Sequence, residues 1–236
     1  MPSSPLRVAV VCMSNVNRSM EAHRILRKNG FRVRSFGAGS HVRLPGGARN
    51  PPVLYDFSTS YKKMHSDLSS KDQKHYKRNG ILHILKRNER IKPGPERFQE
   101  CPNAFDIIFT CGERAYNRVV ADLCARDQET WQLVPVVNVD IDDTLEAASL
   151  GASIICELCQ GLQQADDTQS CLAELLQAVE EKTEGAFCTR SASTEETSWL
   201  VSAALSVRTH AWALGLLGIF WERFFQKPFL LKAVSV

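Results

Sequence analysis

Hydrophobic and polar positions in the first part of the chain switch between two periods. Residues 6–11, LRVAVV, form an apolar run rich in β-branched side chains, which is typical of a buried parallel strand. Residues 18–28 place apolar side chains at helical spacing, and residues 31–36 return to the alternation of a strand. Residues 41–53 are rich in Pro and Gly, and we expect them to form a loop. The chain therefore opens as strand, helix and strand.

The same succession continues towards residue 182. Residues 60–88 have a mostly helical and basic pattern. The remaining predicted elements are strands at 105–110 and 134–141 and helices over 113–126, 144–162 and 168–182. Strands with few charges that alternate with helices predict the α/β class, here a three-layer α/β/α fold with a mostly parallel central sheet. Ligands of such sheets bind beyond the carboxyl ends of the strands.

The pattern changes after about residue 187. Residues 189–199 are polar and resemble a linker, whereas residues 211–221, AWALGLLGIFW, are almost uniformly apolar. This run is shorter than the roughly 20 apolar residues that cross a bilayer, so it predicts no membrane span. We therefore expect a domain over 1–187 and an atypical polar linker and apolar tail over 188–236, which is either disordered or a short helix.

The composition narrows the classes of function. Of 236 residues, 44% are hydrophobic and 23% are charged, as in soluble globular proteins, and the net charge of +3 is too small to indicate nucleic-acid or membrane binding. The start, MPSSPLR, lacks the apolar segment of a signal peptide, so we expect the eight cysteines to be reduced thiols. Cys156 and Cys159 form a C-x-x-C pair within a helical pattern, which favours a place in the core over a metal or redox site. We expect no metal ion or other cofactor.

Candidate chemistry centres on the segment VVCMSNVNRS. Cys12 ends the first predicted strand, and Arg18 begins the next predicted helix. Backbone N–H groups between a strand and a helix can point inward and bind an anion, and an arginine supplies a planar pair of donors that fits two phosphate oxygens. Asn15 tolerates a left-handed backbone, and the Ser19 hydroxyl can donate to the sulfur. The predicted phosphate-binding loop comprises Met13, Ser14, Asn15, Val16, Asn17, Arg18 and Ser19.

A sulfur nucleophile beneath a bound phosphate predicts phosphoester cleavage. We expect Cys12 to attack phosphorus in line with the ester oxygen, while the loop amides and Arg18 hold the other oxygens. Water then hydrolyses the cysteinyl-phosphate. Because the amides and Arg18 supply the positive potential, this reaction needs no metal ion. The spacing C-x5-R is a weak pattern alone, and its place at a strand-to-helix junction gives it weight.

Three acidic residues are candidates for the general acid that an alkoxide leaving group requires. The sequence NVDIDD places Asp140, Asp142 and Asp143 at the end of the fourth predicted strand, at the same edge of the sheet as Cys12. Repulsion among neighbouring carboxylates favours retention of a proton on one of them. One of the three is therefore the expected acid. The alternative is that one caps the following helix and the others face solvent.

The segment V-C-x-x-N-x-x-R-S resembles the phosphate loop of the low-molecular-weight protein tyrosine phosphatases. Further segments, among them LRVAVVC, NRSMEAH, FRVRSFG, NGILHIL, RNERIKPGPERFQ and VVNVDI, resemble the cysteine-based phosphatases of the RNA polymerase II carboxy-terminal domain, the symplekin-binding family of that fold class. The resemblance extends from residue 1 to about residue 187. It implies a low-molecular-weight phosphatase-like α/β/α fold.

The resemblance also implies a substrate and a set of roles. The family removes phosphate from phosphoserine in the YSPTSPS repeats of the polymerase, chiefly at the fifth position and with the following Ser-Pro bond in cis, in transcription and mRNA 3′-end processing. By position, Cys12 corresponds to the nucleophile, Arg18 to the phosphate-binding arginine and Asp143 to the general acid, with Asp140 as a supporting acidic neighbour. Residues 43–45 and the helical region around 76–82 correspond to borders of the peptide groove.

The partners that the resemblance implies are the phosphorylated carboxy-terminal domain and a symplekin-like scaffold of the 3′-end processing machinery. It implies neither direct nucleic-acid binding nor a membrane span. The expected location is the nucleus, with the cytoplasm as a second candidate.

The chain departs from the family pattern at several positions. Met13 and Val16 stand where the family usually has a small residue and Gln, Gly112 replaces an acidic residue, and residues 188–236 replace a short aromatic-rich end. These departures leave open a catalytically weak paralogue that binds symplekin or the phosphorylated tail. A broad tyrosine phosphatase or an arsenate reductase is a third alternative. No Pro follows the acidic residues, which disfavours the former, and a redox role for Cys111 is the less favoured interpretation.

Overall fold

The computed structural model describes residues 5–46, 51–130, 134–164, 172, 174–178 and 230–235. Its strands are β1 (Arg7–Cys12), β2 (Arg32–Gly37), β3 (Val42–Leu44), β4 (Val53–Tyr55), β5 (Ile107–Thr110), β6 (Val136–Asp140) and β7 (Leu230–Ser235). Its α-helices are α1 (Arg18–Lys28), α2 (Tyr61–Arg78), α3 (Ile81–Glu89), α4 (Glu113–Thr130) and α5 (Leu145–Gln164).

Five strands form one sheet in the order β2-β1-β5-β6-β7, and every neighbouring pair is parallel. Side chains on both faces of β1, β5 and β6 are buried. This explains why these three strands consist mainly of apolar residues and do not alternate apolar with polar ones. The chain passes from β1 to β2 on one side of it, and the later strands β5, β6 and β7 are added on the other side. The direction in which strands are added therefore reverses at β1. The carboxyl end of β1 is therefore the topological switch point, where sheets of this kind bind ligands.

Alternate side chains of β1 enter two different cores. Val8 and Val10 belong to the core beneath α1 and α5, whereas Ala9 and Val11 belong to the core beneath α4. The sheet is thus covered by helices on both faces. This arrangement confirms the predicted three-layer α/β/α fold with a parallel central sheet.

The helices α2 and α3 and the hairpin β3–β4 form a third cluster beside the sheet. Its fully buried side chains include Tyr61, Met64 and Leu85. Val16, from the predicted phosphate loop, and Met20, from α1, are buried in the same cluster. The cluster therefore fixes α2 and α3 against the loop that follows Cys12.

Two predicted segments differ in detail from the structure. The loop expected over 41–53 contains β3 and ends at the first residue of β4, its antiparallel partner, and Val42 and Leu44 bury their side chains in the third cluster. The helical stretch expected over 60–88 divides into α2 and α3 at Asn79 and Gly80, where Gly80 adopts a φ of +80°. The helix expected over 168–182 is described only at residues 172 and 174–178, which are helical.

Residues 230–235 correct part of the expectation for the carboxyl-terminal tail. They form β7, which lies parallel to β6 with Leu230 beside Val136, and they belong to the same compact unit as the rest of the sheet. The short run LLKAVS pairs with a strand 94 positions earlier in this register, so local patterning alone could not reveal it. Residues 188–229 lie outside the described residues, and the domain boundary near 187 stays a prediction.

The helix α5 carries the C-x-x-C pair and belongs to the core. Cys156 and Cys159 are free, buried and packed with β1 and α1, as predicted. By length and composition, α5 is apolar enough to cross a membrane, but half of its apolar stretch is buried inside the structure. Core helices meet the same length and composition criterion, so α5 gives no sign of a membrane span.

Candidate active site

Cys12 is the last residue of β1, and its side chain is 3% exposed. The chain beyond it passes close to the loop that follows β2. The Gly39 N–H donates to the Met13 carbonyl oxygen at 2.9 Å, and a Cβ at position 39 would lie only 2.7 Å from that oxygen. This approach requires glycine. The predicted phosphate loop is thus anchored where it leaves the sheet.

Two polar groups converge on the sulfur of Cys12. The Asn15 N–H donates to Cys12 Sγ at 3.2 Å, and Ser19 Oγ lies 3.0 Å from the same sulfur. The Asn15 side-chain amide donates to Ser19 Oγ at 3.0 Å, which leaves the Ser19 hydroxyl hydrogen free to point at Sγ. Sequence reasoning predicted both Asn15 and Ser19, and the structure brings both to the thiol.

Two residues from outside the loop hold Asn15 in place. Its φ is +53°, the left-handed conformation predicted for this position, and the residue is fully buried. Its carbonyl oxygen accepts from the Tyr61 hydroxyl at 2.6 Å, and its Oδ1 accepts from the Glu96 N–H at 3.0 Å. These contacts offset the cost of the left-handed backbone.

Val16 connects the loop to α3 through its backbone. The Val16 carbonyl oxygen accepts from Asn88 Nδ2 at 2.7 Å and from Arg87 Nη2 at 3.1 Å. The Val16 side chain is 4% exposed and packs in the third cluster with Ile84 and Leu85. The apolar residue at position 16, a departure from the family pattern, is therefore accommodated by burial.

A buried ion pair joins α3 to α1 beneath the loop. Arg87 Nη1 lies 2.6 Å from Glu21 Oε2, and the two side chains are 14% and 8% exposed. Burial acts to raise the pKa of the Glu21 carboxyl, but the hydrogen bond from Arg24 and the charge of Arg87 hold that pKa below its usual range. Glu21 therefore stays ionised and fixes the guanidinium that contacts Val16.

Arg18 begins α1 and reaches the ends of two neighbouring strands. Its Nη1 donates to the Cys111 carbonyl oxygen at 2.8 Å and to the Ile141 carbonyl oxygen at 2.9 Å. Its Nε is buried and makes no hydrogen bond within the described part of the chain. The guanidinium is thus fixed at one nitrogen and keeps other donors for two oxygens of a phosphate.

The three candidate acids occupy different places. Asp143 lies at the cleft: its Oδ1 accepts from Asn17 Nδ2 at 3.1 Å and lies 3.5 Å from Arg18 Nε. Asp140 ends β6 and is exposed, and Asp142 is exposed outside the cleft. The structure therefore brings Asp143 together with Arg18 and leaves Asp142 apart.

Gly112 lies directly beside the Arg18 guanidinium. It adopts a φ of +113°, and its N–H donates to Asn138 Oδ1 at 3.1 Å. A Cβ at this position would lie 3.2 Å from Arg18 Nη1 and 3.4 Å from Asp140 Oδ1. Because glycine has no side chain, Arg18 Nη1 and Asp140 Oδ1 can both lie close to the Gly112 backbone.

A cleft of about 310 Å³ opens over the thiol. Polar atoms at its base belong to Cys12, Ser14 and the residues around Arg18, and its walls come from β3, α3 and the start of α5. The lining residues are Cys12, Ser14, Val16, Asn17, Arg18, Arg43, Leu44, Pro45, Asn79, Ile81, Ile84, Asp143, Thr144, Leu145 and Glu146. The site accommodates an anion at its base and a partly apolar chain along its walls.

Sequence reasoning missed the residues that hold the loop from behind. Tyr61, Arg87, Asn88 and Glu96 contact Asn15 or Val16 although they lie 46–81 positions away in the chain. Only Asn88 could have been identified from the sequence pattern, because it falls on the apolar side of α3, three positions after Leu85. A buried amide on an apolar helix face needs a hydrogen-bond partner.

A parallel sheet with a Cys-x5-Arg loop at its switch point, and an aspartate after another strand of the same sheet, defines the low-molecular-weight phosphatase-like class of α/β proteins. The family model described as Ssu72-like protein matches residues 6–191. The chain belongs to the Ssu72 family.

Relatives and solved structures agree with this assignment. The human SSU72 like protein 3, named as an RNA polymerase II C-terminal domain phosphatase, is 66% identical over 187 residues, which cover 79% of this chain and 96% of that protein. The phosphatase SSU72 of Rattus norvegicus is 62% identical over the same coverage. The structure of D. melanogaster Ssu72 with Symplekin, bound to a cis peptidomimetic CTD peptide with phosphoserine at position 5, is 44% identical with a TM-score of 0.73 over 77% of this chain and 94% of that one.

Proposed function

We propose that this chain is a cysteine-dependent protein serine phosphatase that acts on the heptad repeats of the RNA polymerase II C-terminal domain. The observation that carries the proposal is the approach of the Asn15 N–H and Ser19 Oγ to Cys12 Sγ, at 3.2 and 3.0 Å, within a loop that ends at Arg18. Relatives at 62–66% identity are named for this activity, which supports the choice of substrate.

The first step transfers the phosphoryl group to sulfur. Cys12 attacks phosphorus in line with the serine oxygen, so that a P–S bond forms as the P–O bond breaks. The amides of residues 13–18 and the Arg18 guanidinium hold the three remaining oxygens. These groups supply the positive potential that a metal ion supplies in other phosphatases, so the step requires no metal. Ser19 then stabilises the sulfur as it leaves in the second step.

Asp143 serves as the general acid for the first step and as the base for the second. It protonates the departing serine oxygen, and it then takes a proton from the water that attacks the cysteinyl-phosphate. Its position at the cleft, held by Asn17 Nδ2 at 3.1 Å, supports this role. Asp140 has a supporting role beside Arg18, since both approach the space next to Gly112.

The proposed substrate is phosphoserine at heptad position five with the following Ser-Pro bond in cis. The cleft walls at Leu44, Pro45 and Ile81 are apolar and suit a folded proline segment. The related Ssu72 structure with a cis peptidomimetic supports this preference. The same structure contains Symplekin, which supports a symplekin-like scaffold as a partner, with transcription and mRNA 3′-end processing in the nucleus as the setting.

Phosphate release from heptad peptides, each phosphorylated at one serine, tests the proposal. We expect the highest kcat/KM for the fifth position, a loss of at least about 10³-fold in Cys12→Ser and a loss of about 10²–10³-fold in Arg18→Lys. Cys101→Ser, a buried thiol in the core beneath α4, is the matched control. Peptide binding with no more turnover than Cys12→Ser would instead identify the catalytically weak paralogue.

A further inference from the structure

Cys111 directly follows β5 and lies level with Cys12 across the sheet. The parallel register places Val11 beside Thr110, and the Cys111 N–H donates to the Val11 carbonyl oxygen at 2.8 Å. Cys12 and Cys111 each follow this last pair by one residue. Neighbouring strands lie about 4.8 Å apart, and a disulfide spans Cα separations of about 4.4–6.8 Å. The backbone therefore permits a bond between the two sulfurs.

The two thiols also enter the same core. Cys12 and Cys111 both belong to the core beneath α1 and α5, whereas Val11 belongs to the opposite one. Side chains at level positions of adjacent strands point to the same face of a sheet. Cys111 is 1% exposed, while Cys12 lines the cleft. An oxidant from solvent therefore meets Cys12 first.

We propose that Cys111 is a resolving thiol for Cys12, and that peroxide converts the pair into a Cys12–Cys111 disulfide that blocks catalysis reversibly. The inference rests on the proposed function only in taking Cys12 as the reactive thiol.

Hydrogen peroxide is the oxidant in this step. The Cys12 thiolate attacks one peroxide oxygen, the O–O bond breaks, and the products are Cys12 sulfenic acid and hydroxide, which is protonated to water. The Cys111 sulfur then attacks the sulfenic sulfur. An S–S bond forms, the S–O bond breaks, and the hydroxyl group leaves with the Cys111 proton as a second water. The two sulfurs lose two electrons, which the peroxide gains, and a dithiol reductant reverses the change.

The charges around the pair favour this order of events. Burial, and then the negative charge of Cys12, raise the pKa of the Cys111 thiol above its usual range, while Arg18 acts in the opposite direction. Cys111 therefore stays protonated, and its proton is available to the departing hydroxyl group. Sulfenic acid formation removes the charge of Cys12, so one cause of the raised pKa of Cys111 is lost while burial remains. The guanidinium of Arg18, which contacts the Cys111 carbonyl oxygen at 2.8 Å, still favours the ionised thiol.

Peptide mapping after peroxide treatment of the full chain tests the disulfide directly. Free thiols are alkylated before digestion with trypsin, which leaves Cys12 on residues 8–18 and Cys111 on residues 98–114. The second peptide also carries Cys101, so the assignment uses Cys101→Ser, whose substituted side chain lies in the other core. We expect the two peptides to be joined by a bond that dithiothreitol cleaves.

Activity on an aryl phosphate provides the second measurement, with each protein compared with its own untreated sample. The unmutated chain and Cys101→Ser should recover most of their activity after dithiothreitol. Cys111→Ser and Cys111→Ala should lose that recovery, because Cys12 then proceeds to sulfinic acid. Sulfinic acid at Cys12 beside a free Cys111 in the unmutated chain, or a link from Cys12 to another cysteine, would overturn the inference.

The two measurements also separate this inference from the proposed function. Mapping requires no turnover, so an inactive chain that forms the Cys12–Cys111 bond contradicts only the proposed phosphatase activity. An active chain that never forms the bond contradicts only the resolving role of Cys111.

Discussion

The side-chain amide of Asn88 donates to the backbone carbonyl oxygen of Val16 at 2.7 Å. In a trans peptide the carbonyl and the following N–H point in opposite directions. Because the Val16 oxygen is fixed towards α3, the N–H of Asn17 points away from α3, and Asn17 lines the cleft. A residue 72 positions along the chain thus helps to orient a donor of the phosphate loop.

Replacement of Asn88 is expected to impair phosphate binding. Asn88→Ala removes the shorter of the two hydrogen bonds to the Val16 carbonyl, worth about 0.5–1.5 kcal/mol, and leaves the one from Arg87, so we expect kcat/KM to fall about twofold to tenfold. Asn88→Asp should fall further, because its carboxylate faces the Val16 oxygen. Inhibition by inorganic phosphate should weaken in parallel. Asn29→Ala, which removes an exposed amide-to-carbonyl bond at the end of α1, is the control, and unchanged phosphate inhibition in Asn88→Ala would contradict the positioning role.

Asp143→Asn is expected to distinguish substrates by their leaving groups. An alkoxide needs a proton as it departs, so activity on a phosphoserine peptide should fall about 10²–10⁴-fold. A nitrophenolate leaves without a proton, so the loss in the first step on nitrophenyl phosphate should be much smaller. Pre-steady-state measurement of nitrophenolate release isolates that step. Asp142→Asn, at an exposed neighbour outside the cleft, is the control, and equal losses on both substrates would argue against Asp143 as the acid.

Gly112→Ala is expected to affect both stability and catalysis. The φ of +113° disfavours any side chain, with a cost of about 1–3 kcal/mol in the free energy of unfolding, and the new Cβ would crowd Arg18 Nη1 at 3.2 Å. Gly30→Ala is a matched control, since Gly30 has a φ of +86° with nothing within 4 Å of the new Cβ. Both variants should unfold at lower urea concentration, and only Gly112→Ala should lose kcat. Equal activity of the two variants would show that position 112 does not constrain Arg18.

His23 is expected to make stability fall in mild acid. It lies buried with its Nδ1 2.8 Å from Ser35 Oγ, and burial, followed by the charges of Lys92 and Arg27, lowers its pKa from 6.5 to about 4. Between these values the unfolded chain binds a proton that the folded chain does not, so this contribution to stability is present at pH 7 and is lost as the pH falls towards 4. The expected loss between pH 7 and pH 5 is about 2 kcal/mol.

Urea unfolding at pH 7 and pH 5 measures that contribution of His23. His23→Gln removes the titrating group, so its free energy of unfolding should depend less steeply on pH than that of the unmutated chain. Identical pH dependence in the two proteins would show that His23 is not held neutral by burial.

Local periodicity was sufficient to predict the central elements and the reactive loop. The run over 6–11 and the helix over 18–28 are patterns of neighbouring residues, and Cys12 and Arg18 are separated by one short loop, so their approach requires no long-range information. The rule that the ends of parallel strands share an edge predicted that the acid is one of Asp140, Asp142 and Asp143, and the family resemblance singled out Asp143. The hairpin β3–β4 was missed because strands of three residues carry little alternation.

The sequence by itself determined the α/β class, the strand that delivers the thiol and the loop that carries Arg18, because each depends on contacts between residues close in the chain. The tertiary structure alone decided that Asn88 and Arg87 hold Val16, that Cys111 lies level with Cys12, and that residues 230–235 extend the sheet. These relationships join segments about 70–100 positions apart. Only the packing of the helices on the sheet and the strand register select them from the many pairings that the same residues allow.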